Sequence, residues 1–206
     1  MTQNTQKTGR KRVLIAAGSL LGIGALAVAA AFTDFANLNL GNGTDGGIGG
    51  GDNTFNIQVV GTDENGVPVP GTWQEADVVE GVDIALLGAD TITPGDTISV
   101  DIPVLNDSPK LAADVNLTLG EVPGRVSDSD YAAQLRYTIT VDGTAVVSNA
   151  QQAAVSNLDL VELAAGADST VGVAITLLDQ GSTEANNALQ GKTAHVQAQF
   201  TADSVS

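Results

Sequence analysis

Several residue types that mark chemistry are missing or rare in this sequence. It contains no cysteine and one histidine, and its aromatic fraction is 3%. Without cysteine the chain has no thiol nucleophile, zinc–thiolate site or disulfide scaffold. The single histidine, His195, lies outside any His-Glu-x-x-His motif, so a zinc peptidase of that type lacks its ligands. We therefore predict a protein that is not an enzyme, with no catalytic residue and no metal ligand.

Basic residues are also scarce, and half of them lie at the N-terminus. The sequence has 8 lysines and arginines against 24 aspartates and glutamates. Lys7, Arg10, Lys11 and Arg12 precede every acidic residue. The remainder of the chain is therefore strongly acidic, which opposes binding to nucleic acid or to anionic lipid.

The N-terminal residues have the order of charge and hydropathy of an export signal. The cationic start leads into an apolar stretch over residues 13–31, which ends in small residues. This order predicts a signal helix that is removed as a signal peptide, residues 1–31, with cleavage in the region of Ala29, Ala30, Ala31 and Phe32. A retained membrane anchor is the alternative, since the stretch is long enough to span a bilayer. Export places the protein outside a bacterial cell or on its surface, with membrane contact only through the signal.

A short apolar segment and a glycine-rich stretch follow the signal over residues 32–52. In the first part, Leu38 and Leu40 alternate with asparagines, and Phe32 and Phe35 precede them. Residues 41–52 are mostly glycine with polar residues, which is typical of a flexible tether. We predict that residues 32–40 form a donor strand that can add to another subunit.

From residue 53 to residue 206 the main pattern is the alternation of apolar and polar residues. This period of two predicts strands with one buried and one solvent-facing side. Turn sequences such as Asp142-Gly143 separate the strands, and a short helix is expected over 183–189 with Ser182 as its cap. Without a long helix, the pattern predicts an all-β, antiparallel two-sheet sandwich. The clearest strands cover 55–59, 98–104, 115–119, 135–141, 171–177 and 196–202, and weaker ones 72–79, 82–87, 144–148 and 158–163.

Pro103 interrupts the alternation within the second clear strand. Proline cannot donate a hydrogen bond to a sheet, so we predict that this strand lies at an edge or carries a bulge. An edge strand is also where another chain can add.

Two acidic turns resemble fragments of calcium loops. Neither Asp128-Ser129-Asp130 nor Asp63-Glu64-Asn65-Gly66 continues into the twelve-residue pattern. Aspartates that cap their own backbone explain both turns, so we predict no cofactor, with Ca²⁺ as the alternative.

Two segments together resemble the TasA and camelysin family of exported proteins. The signal ending Ala30-Ala31-Phe32-Thr33-Asp34 is similar to the signals that a SipW-type signal peptidase cleaves. Residues 93–96 (Thr-Pro-Gly-Asp) and the strand pair over 98–119 resemble a turn and strand pair of that family. Similar alternate-signal exported proteins occur in actinobacteria, and this sequence looks closer to those.

The resemblance implies a jelly-roll sandwich that polymerises head to tail into fibres of the extracellular or biofilm matrix. It also implies that the donor strand, here residues 32–40, fills a groove in the next subunit. The partners are then the protein itself and, during export, the signal peptidase. A camelysin-like surface metalloprotease and a monomeric surface adhesin or binding sandwich are the alternatives.

Overall fold

The structure is a computed structural model that describes residues 54–205. The predicted signal peptide, donor strand and tether lie outside these residues. Within them the chain forms nine strands and two short helices, with two single turns of 3-10 helix at Ala89–Thr91 and Gln152–Ala154. In chain order the elements are β1 (Ile57–Thr62), β2 (Pro68–Gln74), β3 (Thr97–Asn106), β4 (Ala112–Glu121), α1 (Ser129–Ala132), β5 (Leu135–Val141), β6 (Thr144–Ala150), β7 (Leu158–Leu163), β8 (Asp168–Leu177), α2 (Thr183–Asn187) and β9 (Val196–Val205).

The strands form two antiparallel sheets. One has six strands in the order β2-β1-β3-β8-β5-β6, and the other has three in the order β7-β4-β9. Each sheet contains one long ladder of backbone hydrogen bonds. In the six-stranded sheet β3 pairs with β8, and in the three-stranded sheet β4 pairs with β9, along nearly their whole lengths. The predicted all-β, two-sheet sandwich is confirmed.

The central strands are wound as in a jelly roll. The hairpin β5–β6 is the innermost pair, β4 pairs with β7 around it, and β3 pairs with β8 outside both. Successive pairs lie in alternate sheets, as when a folded two-stranded ribbon wraps around a core. In the described chain, β1 and β2 extend the sheet beyond β3, and β9 extends the other sheet beyond β4.

The core lies where the alternating apolar residues of the two sheets meet. On β4 every second residue, Ala113, Val115, Leu117 and Leu119, is buried, and the residues between them are partly exposed. The sequence therefore fixes which side of β4 faces the core, because a shift of one residue would expose all four side chains.

The hairpin turn and the helix cap that the sequence predicts are both present in the structure. Asp142 and Gly143 have φ of 48° and 78°, the left-handed conformation that a two-residue hairpin turn needs. The Ser182 hydroxyl caps α2 by accepting a hydrogen bond from the N–H of Ala185 at 3.2 Å. The helix ends at Asn187, two residues earlier than predicted.

The segment between β2 and β3 differs from the prediction. The weaker strand expected at 72–79 is β2, which begins earlier at Pro68 and ends at Gln74, while no strand forms over 82–87. Gly81 and Gly88 bracket this second segment with φ of 71° and 86°. The N–H of Ala85 donates to the carbonyl of Gly66 in the β1–β2 turn, so the segment packs as a loop.

Candidate interaction edges

Pro103 does not lie in an edge strand. It belongs to β3, which is third in the six-stranded sheet, between β1 and β8. The prediction was wrong because proline blocks only one side of a strand. Asn106 donates its N–H towards β8, to Ala167, and Asp107 donates towards β1, to Asn56. Alternate residues of a strand direct their backbone groups to the same side, so the nitrogen of Pro103, like that of Asp107, faces β1. The ladder between β3 and β8 is therefore unbroken.

Pairing on the β1 side stops next to Pro103. β1 pairs with β3 only at Val104, Leu105 and Asn106. Beyond the proline, no described strand pairs with the β1 side of residues 97–103. We call these seven residues the β3 half-edge. Its alternate residues Thr97, Ser99 and Asp101 direct their backbone groups to that side.

A buried polar cluster fixes the end of β3 and the start of the described chain. The Asn106 side-chain amide donates to the carbonyls of Leu111, Leu163 and Ala164 at 2.8, 3.0 and 3.1 Å. Its side-chain oxygen accepts from the N–H of Ser108 at 3.1 Å, and the Ser108 hydroxyl accepts from the N–H of Asn56 at 3.0 Å. One buried asparagine therefore joins β3, the start of β4 and the end of β7, and Ser108 attaches the chain just before β1.

Residues 54–205 contain four outer strands, and three of them carry features that discourage pairing between molecules. β2 contains Pro68 and Pro70 and shifts register against β1. β6 shifts register twice, and its Asn149 has a φ of 50°. β7 is six residues long and shifts register against β4. Prolines, bulges and short length all interrupt the row of backbone groups that a second strand needs.

The fourth outer strand, β9, is regular along its whole length. Its ten residues pair with β4 without a register shift, and none is proline or has a positive φ. Val122 donates its N–H to the carbonyl of His195 at 3.2 Å, so alternate residues from Gln197 onwards bond β4. The residues between them direct their N–H and C=O groups away from β4, where no described strand lies. We call these groups the β9 edge: Val196, Ala198, Phe200, Ala202 and Ser204.

The β9 edge coincides with a partly open side of the core. Phe200 lies opposite Leu117 and points its side chain to the core face, as Ala198 does opposite Leu119. The two β4 residues are buried, whereas Phe200 and Ala198 are only half-buried. Unpaired backbone groups and incompletely covered apolar side chains therefore occur together along this strand.

His195 lies immediately before β9 and is half-buried. Its backbone N–H donates to the Ser127 hydroxyl at 2.9 Å, and the N–H of Thr193 donates to Asp128 at 2.9 Å. Asp130 forms an ion pair with Lys192, whose hydrogen bond lowers the pKa of that carboxyl. These contacts attach the start of α1 to the segment that leads into β9.

The prediction that the aspartates of the two acidic turns cap their own backbone was wrong for Asp128, whose side chain bonds the distant Thr193 and makes no cap bond to α1. The Asp63 turn, in contrast, binds its own backbone. Asp63 accepts from the N–H groups of Val67 and Asn65 at 3.0 and 2.8 Å, and these two bonds lower its pKa. Over residues 54–205 no three histidine, aspartate or glutamate side chains are grouped to hold a metal ion.

A shallow groove of about 510 Å³ lies beside α1, between the end of β4 and the start of β5. Its lining includes Leu119, Ser129, Gln151 and Gln152, and no ionisable side chain contributes to it. Its polar side-chain groups are hydroxyls and amides, and the rest of the lining is leucine and alanine.

The described part of the chain contains no helix that is both long and apolar enough to cross a membrane. No protein-family model matches the sequence, and no curated protein matches it. Sequence reasoning predicted an open edge but placed it at Pro103. The β9 edge was missed, although the unbroken alternation over 196–202 without proline or glycine was its visible signal.

Proposed function

We propose that this protein is a secreted structural protein, a self-associating subunit of extracellular or biofilm-matrix fibres. Its N-terminal segment, residues 32–40, adds as a strand to a neighbouring subunit. One observation carries the proposal: the sandwich keeps a regular ten-residue edge with no partner among the described strands, and the same chain supplies an alternating apolar segment on a glycine-rich stretch.

Strand addition suits these two parts physically. An added strand gains backbone hydrogen bonds along the edge, and its alternate side chains cover the apolar side of the sheet. Because the donor segment and the edge are different surfaces, the contact is head to tail. Such a contact repeats without closing and produces a filament.

The charge of the chain fits the same role. Export removes the four N-terminal basic residues if cleavage falls in the region 29–32, so the subunit outside the cell carries a large negative charge. Cleavage by a signal peptidase would also release residues 32–40 from the membrane. The donor segment would then become available only after secretion.

The proposal is tested with secreted protein by N-terminal sequencing and negative-stain electron microscopy. A mature chain that begins near Phe32 and forms filaments is expected. Changing Leu38 and Leu40 together to serine removes the apolar side of the donor and should leave monomers. Changing Asn37 and Asn39 together to serine alters the opposite side of the same segment and should preserve filaments.

Other outcomes would favour the alternatives. Caseinolytic activity that is lost both with a chelator and in His195→Ala would indicate a camelysin-like metalloprotease. A protein that stays monomeric and binds glycan would indicate a surface adhesin. Filaments from the Leu38 and Leu40 double variant that match those of the wild type would contradict strand donation.

A further inference from the structure

We infer that the β9 edge is the acceptor site, and that its occupant is the segment 32–40 of a second copy of this chain. The inference rests on the proposed function and specifies its molecular contact. It identifies β9, the last strand among residues 54–205, as the surface that receives residues 32–40 of its neighbour.

Length and regularity distinguish β9 from the other edges. The donor segment has nine residues, and β9 offers ten in continuous register. The β3 half-edge offers seven residues, and Pro103 at its end has no N–H to donate. β2, β6 and β7 each shift register within their own sheets. A nine-residue strand therefore finds an uninterrupted row of partners only at β9 among the described edges.

The even-numbered residues of the donor and of β9 can lie directly opposite each other, with their side chains on one face. Even-numbered residues of β9 direct their backbone groups outward and their side chains to the core face. A donor strand that directs Ala36, Leu38 and Leu40 to the core face of the sheet covers Phe200 and Ala198, which are half-buried on that face. In hydrogen-bonded antiparallel pairs, directly opposite side chains lie on the same face, so this register meets the backbone and the side-chain requirements together.

The charges are also compatible. β9 contains one charged residue, Asp203, and the donor contains one, Asp34. With the apolar sides aligned, Asp34 lies on the core-facing side with Leu38 and Leu40, opposite Ala202 near one end of β9, whereas Asp203 points to the other face of the sheet. The contact therefore avoids a direct like-charge pair, which would be destabilising.

The position of the described N-terminus favours a second copy over the same chain. Asn56 is bonded at Ser108, close to Leu111, and the end of β9 pairs with the start of β4 at Ala112. An antiparallel donor would place Leu40 beside Val196, at the other end of β9, about 30 Å away at about 3.3 Å per residue. Residues 41–53, treated as a glycine-rich coil, have a root-mean-square span of only about 20 Å.

Proline substitutions test the acceptor directly in the secreted full-length protein. Ala202→Pro removes an N–H that faces away from β4, so the intramolecular ladder keeps its bonds. Ser99→Pro is the matched control, because it removes an outward N–H from the β3 half-edge. We expect a thermal unfolding midpoint close to that of the wild type for both variants, with filaments lost in Ala202→Pro and kept in Ser99→Pro. The reverse result, or wild-type filaments from Ala202→Pro, would overturn the inference.

A disulfide trap keeps the test decisive if the proline variant fails to fold. The chain has no cysteine, so Gln199→Cys combined with Asn37→Cys, its partner when Leu40 lies beside Val196, or with Asn39→Cys, its partner in the next register, adds a single defined pair. Under mild oxidation we expect covalent dimers and longer oligomers on a non-reducing gel. Only intrachain disulfides would overturn the second copy as occupant, and no disulfide with either donor position would overturn β9 as acceptor.

Different results would contradict the self-associating function and the assignment of β9 as the acceptor. If the wild type forms no filaments, the proposed function is wrong. If the Leu38 and Leu40 variant loses filaments while Ala202→Pro keeps them, strand donation stands and only the acceptor is wrong.

Discussion

Replacing Asn106 with alanine should destabilise the sandwich more than any surface change of similar size. The side chain is fully buried and joins three parts of the fold through four hydrogen bonds. Two of its partners, the Leu163 carbonyl and the Ser108 N–H, lie in buried surroundings and would be left without it. An unsatisfied buried polar group costs about 1–3 kcal/mol, so Asn106→Ala should lower the free energy of unfolding by about 2–6 kcal/mol. That is a large share of the roughly 5–15 kcal/mol that stabilises a typical domain.

Urea unfolding followed by the fluorescence of Trp73, the only tryptophan, measures this loss. Asn116→Ala is the matched control, since Asn116 is half-buried on β4 and its side chain bonds no described residue; its effect should stay within about 0.5 kcal/mol. Asn106→Asp should also destabilise the protein at pH 7, because a carboxylate would face three carbonyl oxygens. A loss below about 1 kcal/mol for Asn106→Ala, or an equal loss in the control, would refute this account of the cluster.

Three further predictions concern β5, β8 and an acidic turn. Gly172→Ala should lower the free energy of unfolding in urea by about 1–3 kcal/mol, because the added Cβ would overlap the Thr140 hydroxyl. Adding Thr140→Ala should restore most of the lost stability, and a double variant without that recovery would contradict the clash. Tyr137→Phe should leave the free energy of unfolding unchanged or raise it by about 1 kcal/mol, because the buried hydroxyl has no hydrogen-bond partner in the described chain. Burial also raises the pKa of Tyr137 to about 12. A clear loss of stability in Tyr137→Phe would contradict the absence of a partner. The side chain and N–H of Thr93 hydrogen-bond Asp96 and lower its pKa, so this stabilisation is complete above about pH 4 and disappears as the pH falls through the folded-state pKa. The difference in unfolding free energy between wild type and Asp96→Asn should therefore shrink on acidification, and a constant difference would contradict it.

The strands were predictable because most of their information is local. Alternation fixes both the strand and its buried side, so β4, β5 and β8 could be located from the order of residues alone. The hairpin at Asp142-Gly143 was equally local, since two residues with positive φ are enough to specify it. These features depend on side chains that are close together in the sequence.

The arrangement of strands was less predictable because it depends on distant partners. Pro103 shows this clearly: the residue type limits one side of β3, but only the pairing with β8 decides whether β3 lies inside the sheet. The role of Asn106 was hidden for the same reason, since its partners at Leu163 and Ala164 are more than fifty residues away. In sequence it is one polar residue at the start of a turn.

The pairing of β4 with β9 has a consequence for the timing of folding. β4 ends at Glu121 and β9 begins at Val196, so β4 cannot acquire this neighbour until the chain has been made as far as β9. Contacts between distant parts of a chain also form slowly, because a long loop must close first. If the chain is exported from its N-terminus, as proposed, residues 32–40 leave the cell before β9 does, and the donor segment is outside before the proposed acceptor edge exists. On that proposal, we expect a filament to grow only by adding subunits in which β9 has already paired with β4.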